Sequence, residues 1–179
     1  MTVLTPSQTV GPYFRIGLDW PHAWRLVDDT TPGERLTLTG RLLDGDGAPV
    51  PDALIEIWQA DAAGHYARDA GAAFRGAGRC AVDADGCFRF ETIRPGRVAA
   101  PDGTLQAPHI NLLVMARGLL RHVYTRVYFA ADTALHAADA VLACVPAARR
   151  ATLVARADGA LHSFDIHLQG ARETVFFDL

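Results

Sequence analysis

His109 and Asn111 stand two residues apart at the start of an apolar run that is typical of a β-strand. Alternate residues of a strand point to the same face, so the two side chains are expected to lie side by side. Neutral imidazole is a good iron ligand, whereas a carboxamide is a weak ligand for a transition metal. The pair is either part of a metal site or a buried histidine hydrogen-bonded near a strand start, and the spacing alone favours the second interpretation.

Tyr66 and Arg117 also have side chains suited to a site. Tyr66 lies in a predicted loop after a strand. Its phenolate could bind Fe(III), whose high charge lowers the pKa of a phenol. Arg117 ends a predicted strand and precedes a glycine, and its guanidinium could bind a carboxylate through two hydrogen bonds. Taken singly, the two are better explained as an ordinary half-buried tyrosine and a solvated arginine.

Other catalytic patterns are absent from the sequence. Ser7 and Ser163 lack the G-x-S-x-G context of a hydrolase nucleophile, and neither a dinucleotide-binding nor a Walker glycine motif follows a predicted strand. The three cysteines, Cys80, Cys87 and Cys144, fit neither a zinc pattern nor a disulfide framework. They are expected to be reduced, buried thiols in a cytoplasmic protein.

Short runs with alternating hydrophobicity must position these side chains. The runs cover residues 36–43, 53–59, 87–93, 109–115, 122–129 and 161–168, and aspartate–glycine turns such as 44–47 separate some of them. This pattern predicts an all-β fold, an antiparallel β-sandwich. A helix is expected only around residues 145–155, where Pro146 limits it.

Residues 1–34 are predicted to form an irregular arm, followed by a single β-sandwich domain at residues 35–179. Prolines recur through the arm, which excludes one continuous helix; they are Pro6, Pro12, Pro21 and Pro32. The arm also contains a large aromatic area, contributed by Tyr13, Phe14, Trp20 and Trp24. So much apolar surface is expected to pack either on its own domain or on a neighbouring chain.

The charge and hydropathy of the chain exclude two classes of partner. The formal net charge of the 179 residues is −3, which gives no basic surface for nucleic acid or anionic lipid. No apolar stretch is long enough to span a bilayer. The first residues lack the pattern of a secretion signal, so we expect a cytoplasmic protein.

Four segments together resemble the intradiol ring-cleavage dioxygenases. They are TPSQTVGPY at residues 5–13, IEIWQADAAGHY at 55–66, TIRPG at 92–96 and APHIN at 107–111. The C-terminal segment, residues 164–178, is similar to the non-catalytic α subunits of the two-subunit members. The resemblance extends over nearly the whole chain, from Thr5 to Leu179.

This resemblance implies a non-haem Fe(III) site with two tyrosine and two histidine ligands. The four ligand positions fall on Tyr66, Val98, His109 and Asn111. An arginine expected three residues before the first histidine is Gln106 here. Because a hydrocarbon and a carboxamide replace a phenolate and an imidazole, we expect the four positions to be vestigial. Neither a bound metal nor a catalytic residue is expected in this chain.

The resemblance places the iron in a β subunit that cleaves protocatechuate with O₂. Gly11, Pro12 and Tyr13 correspond to an arm segment that lines the substrate pocket of the partner. Arg117 corresponds to an α-subunit arginine at the same pocket, where a guanidinium would balance the carboxylate of the substrate. The arm is accordingly expected to pack on the partner subunit.

Two other functions remain open from the sequence. A non-enzymatic β-sandwich binding module of the transthyretin type would explain the strands without the site motifs. A self-sufficient intradiol enzyme acting on catechol or hydroxyquinol would need other residues to replace Val98 and Asn111 as ligands, and no suitable tyrosine–histidine pair is evident.

Overall fold

Nine β-strands form most of the regular backbone in a computed structural model of the chain, which describes residues 4–69 and 71–178. Residues 1–3 of the predicted arm, and Ala70 and Leu179 of the predicted domain, lie outside the described residues. The strands are β1 (Arg35–Leu43), β2 (Leu54–Gln59), β3 (Ala77–Ala81), β4 (Cys87–Ile93), β5 (His109–Met115), β6 (Val123–Phe129), β7 (Val154–Asp158), β8 (Leu161–Ser163) and β9 (Ile166–His167).

The all-β prediction is confirmed, but the sheet is mixed, so the predicted antiparallel arrangement is not confirmed. The strand order is β3-β2-β5-β6-β7-β8-β1-β4, with β9 also paired to β1. Strand β1 is parallel to β8 and β9, and β6 is parallel to β7. A parallel pair needs a long connection, which residues 130–153 provide between β6 and β7. Such pairings join distant segments and leave no signature in local alternation.

One apolar core joins the two ends of this strand order. Large buried side chains come from β1 and β4, including Leu38 and Phe90, and others come from β2 and β5, including Ile57 and Leu112. All four residues belong to the same cluster. The β5 strand is buried along most of its length, which fixes the start of that strand firmly against the core.

The strand predictions failed where the local pattern is weak or interrupted. Strand β3 is an edge strand made of alanine, glycine, arginine and cysteine, which lacks the apolar alternation of its neighbours. The run at residues 161–168 divides into β8 and β9. Between them, Asp165 Oδ1 accepts from the backbone N–H of Arg41 at 3.1 Å, so a side chain replaces a bond of the strand ladder.

Short helical segments occur in two regions. Helix α1 (Pro12–Leu18) lies inside the arm, with Pro12 at a first-turn position where its missing N–H costs nothing. Helices α2 (Thr133–His136) and α3 (Ala140–Ala143) follow β6, with 3-10 segments at Ala130–Asp132 and Ala147–Leu153. The predicted helix near residues 145–155 is therefore a 3-10 segment that leads into β7.

The second half of the arm packs on its own domain. The Ala23 carbonyl accepts from the N–H of Arg79 in β3 at 2.8 Å, and the Trp24 carbonyl accepts from the N–H of Glu91 in β4 at 3.0 Å. The arm therefore bridges the two outermost strands. Its first half presents apolar side chains to solvent: Tyr13 is 82% exposed and Ile16 71% exposed. Packing of that half on a partner stays a prediction.

The cysteines are free thiols, but the prediction that they are buried was wrong. Cys80 and Cys87 are partly buried, and Cys144 is exposed.

Candidate functional site

A tight turn after β2 places Tyr66. Asp61 Oδ1 accepts from the backbone N–H groups of Ala63 and His65, each at 2.9 Å. Gly64 adopts a φ of 87°, and a Cβ there would meet the Arg97 carbonyl oxygen at 1.9 Å. Glycine is therefore required where the Tyr66 loop touches the segment that contains Val98. The Gly96 N–H donates to the Asp61 carbonyl at 2.8 Å and holds the two segments together.

The start of β5 meets this loop, and His109 and Asn111 both reach Tyr66 from one face of the strand, the shared face that their spacing predicts. Asn111 Nδ2 donates to Tyr66 Oη at 2.7 Å, and Tyr66 Oη lies 3.4 Å from His109 Nε2. Both β5 residues are buried. The Trp58 ring also packs against the Tyr66 ring, with 4.5 Å between centroids. Tyr66 thus contacts both His109 and Asn111, and these three residues occupy three of the four positions that the resemblance assigns to ligands.

The hydrogen bonds fix the chemical state of these groups. His109 Nδ1 lies 2.8 Å from the Ala107 carbonyl, which can only accept, so this nitrogen carries the proton. His109 Nε2 then accepts from the Tyr66 hydroxyl. Asn111 Nδ2 also donates to the Trp58 carbonyl at 3.0 Å, and Tyr124 Oη donates to Asn111 Oδ1. We call these four residues, Tyr66, His109, Asn111 and Tyr124, the Tyr66 cluster.

The fourth position holds an apolar side chain. Val98 is 9% exposed and follows the Gly96 turn. Its carbonyl accepts from the backbone N–H of Gln106 at 2.8 Å, so the Val98 segment is bonded to the segment that leads into β5. An isopropyl group offers no lone pair to a metal, so this position cannot contribute a ligand.

Both titratable groups of the Tyr66 cluster that show a pKa shift are held neutral. Burial, together with the charge of Arg126, lowers the pKa of His109 to about 4. Burial raises the pKa of the Tyr66 phenol above its usual value, although the Asn111 hydrogen bond and Arg126 oppose that rise. At neutral pH the cluster therefore offers a neutral imidazole, a phenol and a carboxamide.

These residues do not fit Fe(III). A hard trivalent ion needs anionic ligands, and here one phenolate position is a valine while the other phenol is engaged in hydrogen bonds. In residues 4–69 and 71–178, no group of three histidine, cysteine, aspartate or glutamate side chains is arranged to hold a metal ion.

Arg126 is a site residue that the sequence interpretation missed. Its guanidinium donates to Gln106 Oε1 at 2.7 Å and lies 3.5 Å from Tyr128 Oη. Tyr124, Arg126 and Tyr128 alternate along β6. The period-two argument that groups His109 and Asn111 also places these three residues on one face of β6.

Asp139 forms buried hydrogen bonds next to Arg126 and Tyr128. Its carboxylate is buried and accepts from the N–H of Ala107 at 2.7 Å and from the N–H of Leu142 at 2.9 Å. It also lies 3.4 Å from Tyr128 Oη. The Ala107 carbonyl in turn orients His109, so Asp139 connects α3 to the start of β5. Sequence offers little signal for it, since the contact with Ala107 spans 32 residues.

Arg117 and the arm lie together at the other end of β5, which is about 20 Å long. Arg117 Nη2 donates to Asp52 Oδ2 at 2.6 Å, and Arg15 Nη1 of α1 lies 3.5 Å from the same carboxylate. The Gly118 N–H donates to Thr9 Oγ1 at 2.8 Å. Gly11 and Pro12 begin α1 on this side. The structure thus brings Arg117 to the arm, well away from the Tyr66 cluster.

Within the described residues, none of the helices has both the length and the apolar character needed to cross a bilayer.

Comparison with known proteins identifies the family. A family model described as Dioxygenase matches residues 10–170. The protocatechuate 3,4-dioxygenase alpha chain of Burkholderia cepacia is 46% identical over 201 residues, covering 100% of each chain. The corresponding alpha chain of Pseudomonas putida is 42% identical over 192 residues, covering 97% of this chain and 96% of that one. The beta chain of the Burkholderia cepacia enzyme is 38% identical over 135 residues, covering 69% of this chain and 56% of that chain.

Solved structures agree with this assignment. The dioxygenase domain of a dioxygenase carbohydrate-binding protein fusion from Streptomyces sp. SirexAA-E superposes with a TM-score of 0.66 at 32% identity, covering 93% of this chain and 99% of that one. The 3-chlorocatechol 1,2-dioxygenase of Rhodococcus opacus 1CP gives a TM-score of 0.68 at 21% identity, covering 83% and 65%, and supports the fold alone. The chain therefore belongs to the intradiol ring-cleavage dioxygenase family.

Proposed function

We propose that this chain is the α subunit of a protocatechuate 3,4-dioxygenase and acts only with an iron-bearing β subunit. Full-length similarity to two alpha chains of that name supports the proposal. The observation that carries it is the Tyr66 cluster, whose donors are engaged with one another while a valine stands at the fourth ligand position. A member of this enzyme family that does not hold Fe(III) itself would contribute instead to a site in another chain.

The proposed reaction breaks the ring bond between the two hydroxylated carbons of protocatechuate. Both atoms of O₂ enter the product, 3-carboxy-cis,cis-muconate, and no external reductant is needed. Non-haem Fe(III) in the β subunit would supply the activation of the catechol ring toward O₂. The residues of this chain would bind the substrate and enclose the pocket.

Arg117 is assigned to the ring carboxylate of the substrate. Its side chain is 53% exposed, and one N–H group bonds Asp52, which leaves other guanidinium donors available. When the pocket closes against the partner, a carboxylate removed from water needs a fixed positive charge. Arg15 adds a second positive charge next to Asp52, beside its other carboxylate oxygen.

The first half of the arm is assigned to the interface with the β subunit. Tyr13 and Ile16 of α1 expose most of their apolar surface, and α1 buries none of its own residues in this chain. A partner that covers this surface would remove it from water. Gly11, Pro12 and Tyr13 would then form part of the wall of the partner's pocket.

Two further expectations, about the fold and the location of the chain, complete the proposal. The strands at the two ends of the sheet order share one core, so we infer that they face each other as the layers of a β-sandwich. The free thiols are compatible with a reducing, cytoplasmic location.

Reconstitution with a β subunit tests the proposed function. The purified chain alone is expected to contain substoichiometric iron and to be inactive toward protocatechuate, and ring cleavage should appear only after the β subunit is added. Stoichiometric iron in the isolated chain, with the visible absorption of tyrosinate bound to Fe(III), would show that the chain builds its own site. Unchanged activity of the β subunit with and without this chain would also contradict the proposal.

A further inference from the structure

Arg126 and Gln106 lie beside the Tyr66 cluster. The positive charge that the resemblance places at position 106 is found instead at position 126. An arginine is expected at position 106 from the resemblance to the family, and glutamine is present. Across the strand pair, Arg126 donates to that glutamine at 2.7 Å. We propose that the Arg126 guanidinium is a built-in cation that takes the electrostatic place of a metal ion and keeps metal ions out of this chain.

Strand register places Arg126 within the group of vestigial positions. In the β5–β6 pair, Asn111 is directly opposite Arg126, and His109 is directly opposite Tyr128. Opposed residues of an antiparallel pair share a face, with about 5 Å between their Cβ atoms. The guanidinium therefore extends from the same surface as the side chains of His109 and Asn111.

The guanidinium is held in place by neutral acceptors. Gln106 Oε1 accepts from Arg126 Nη1, and Tyr128 Oη lies 3.5 Å from the same nitrogen. The salt bridges formed by the described residues do not include Arg126, so no carboxylate cancels its charge through an ion pair. A guanidinium cannot lose its proton in a protein, so the positive charge is permanent.

The donors of the Tyr66 cluster are arranged for this metal-free state. The Tyr66 hydroxyl uses its proton on His109 Nε2 and its lone pair on Asn111 Nδ2. The Asn111 amide oxygen accepts from Tyr124. The ring lone pair and the phenol that would bind a metal are thus engaged with each other.

A metal ion would therefore face two separate barriers. One is the loss of two ligands at Val98 and Asn111. The other is repulsion between a multivalent cation and a fixed positive charge in a partly buried site, where charges interact more strongly than in water. If the second barrier is real, restoring the two ligands would not by itself restore a metal site.

Engineered variants of the full chain separate the two barriers. Val98→Tyr with Asn111→His restores the four ligand types, and adding Arg126→Gln removes the positive charge but keeps a polar side chain. After exposure to Fe(II) in air and gel filtration, the triple variant is expected to retain at least tenfold more iron than the double variant, with tyrosinate-to-iron absorption. Equal iron content in the two variants, whether high or low, would overturn the proposal.

Two controls isolate the charge at this position. The double variant with Arg126→Lys keeps the positive charge and is expected to stay iron-poor. The double variant with Arg156→Gln removes an arginine that is 79% exposed, and it should also stay iron-poor. Loading of the lysine variant to the level of the glutamine variant would refute a role for charge.

A second readout does not depend on oxidation of iron. Zn²⁺ should raise the unfolding temperature of the Arg126→Gln triple variant by several degrees more than that of the double variant. An equal shift in the two would contradict the proposal. The inference rests on the proposed function only in treating the four positions as a former ligand set. Iron in the wild-type chain would refute the proposed function, whereas equal loading of the engineered variants would refute the role of Arg126 alone.

Discussion

Arg117 and Asp52 form an ion pair, with 2.6 Å between Arg117 Nη2 and Asp52 Oδ2, and Arg15 of the arm lies 3.5 Å from the other oxygen of the same carboxylate. Asp52 thus connects the end of the β5 segment to α1. One negative charge is shared by two arginines, so the group retains a net positive charge. Arg15 belongs to α1, so this charge adjoins the helix that exposes Tyr13 and Ile16.

Arg117→Ala in the assembled α–β enzyme is expected to raise the KM for protocatechuate about 10- to 100-fold, the range that corresponds to loss of a hydrogen bond to a charged group. Catechol lacks the carboxylate, so its KM should change less than twofold. Steady-state kinetics on both substrates measure the difference. Arg121→Ala is a matched control, since it removes an exposed arginine from the same loop region. Equal effects of Arg117→Ala on both substrates would remove the carboxylate assignment.

Asp52→Asn should act in the opposite direction. Asparagine keeps an acceptor for Arg117 and tolerates the left-handed backbone of Asp52, whose φ is 61°. The replacement therefore removes mainly the negative charge that competes with the substrate carboxylate. The KM for protocatechuate is expected to fall about 2- to 5-fold, in keeping with the small energies of exposed ion pairs, and the effect should shrink at high salt. An increase in KM would show instead that Asp52 is needed to orient Arg117.

Local alternation was sufficient to predict that His109 and Asn111 share a face, because β5 is a regular buried strand. It did not predict their contact with Tyr66, which arises because the Tyr66 loop follows β2, the strand that pairs with β5. It was insufficient for Asp52, since the pairing with Arg117 joins positions 65 residues apart. Arg126 was missed for a different reason. Its strand is evident from the sequence, but its place beside Asn111 depends on the register between β5 and β6, which local alternation does not contain.

The errors in the fold have similar causes. Strand β3 lacks apolar alternation because it is an edge strand with partly exposed residues. The parallel pairs of β1 with β8 and β9 depend on where the C-terminal segment returns in space. No short stretch of sequence contains that information.

Asp139→Ala is expected to lower the free energy of unfolding by about 3 kcal/mol. The buried carboxylate caps α3 through the Leu142 N–H and accepts from the Ala107 N–H, so alanine would leave two donors without a partner. Urea unfolding of the full chain, followed by tryptophan fluorescence, measures the change. Asp158→Ala, at an exposed position at the end of β7, is the matched control and should change stability by less than about 0.5 kcal/mol. A comparable loss in both variants would contradict this role for Asp139.

The buried imidazole of His109 should make the stability of the chain depend on pH. In the unfolded chain His109 takes up a proton near its ordinary pKa of 6.5, whereas in the folded chain its pKa is lowered to about 4. Between these values the unfolded state binds more protons, so stability falls as the pH drops from 6.5 toward 4 and this contribution is fully present above pH 6.5. The contribution is at most about 3 kcal/mol.

Other groups also titrate in this range, so wild type must be compared with His109→Gln by urea unfolding at several pH values. The variant is expected to be less stable at pH 7 and to lose less stability on acidification. Parallel curves for the two proteins would show that folding does not lower the pKa of His109.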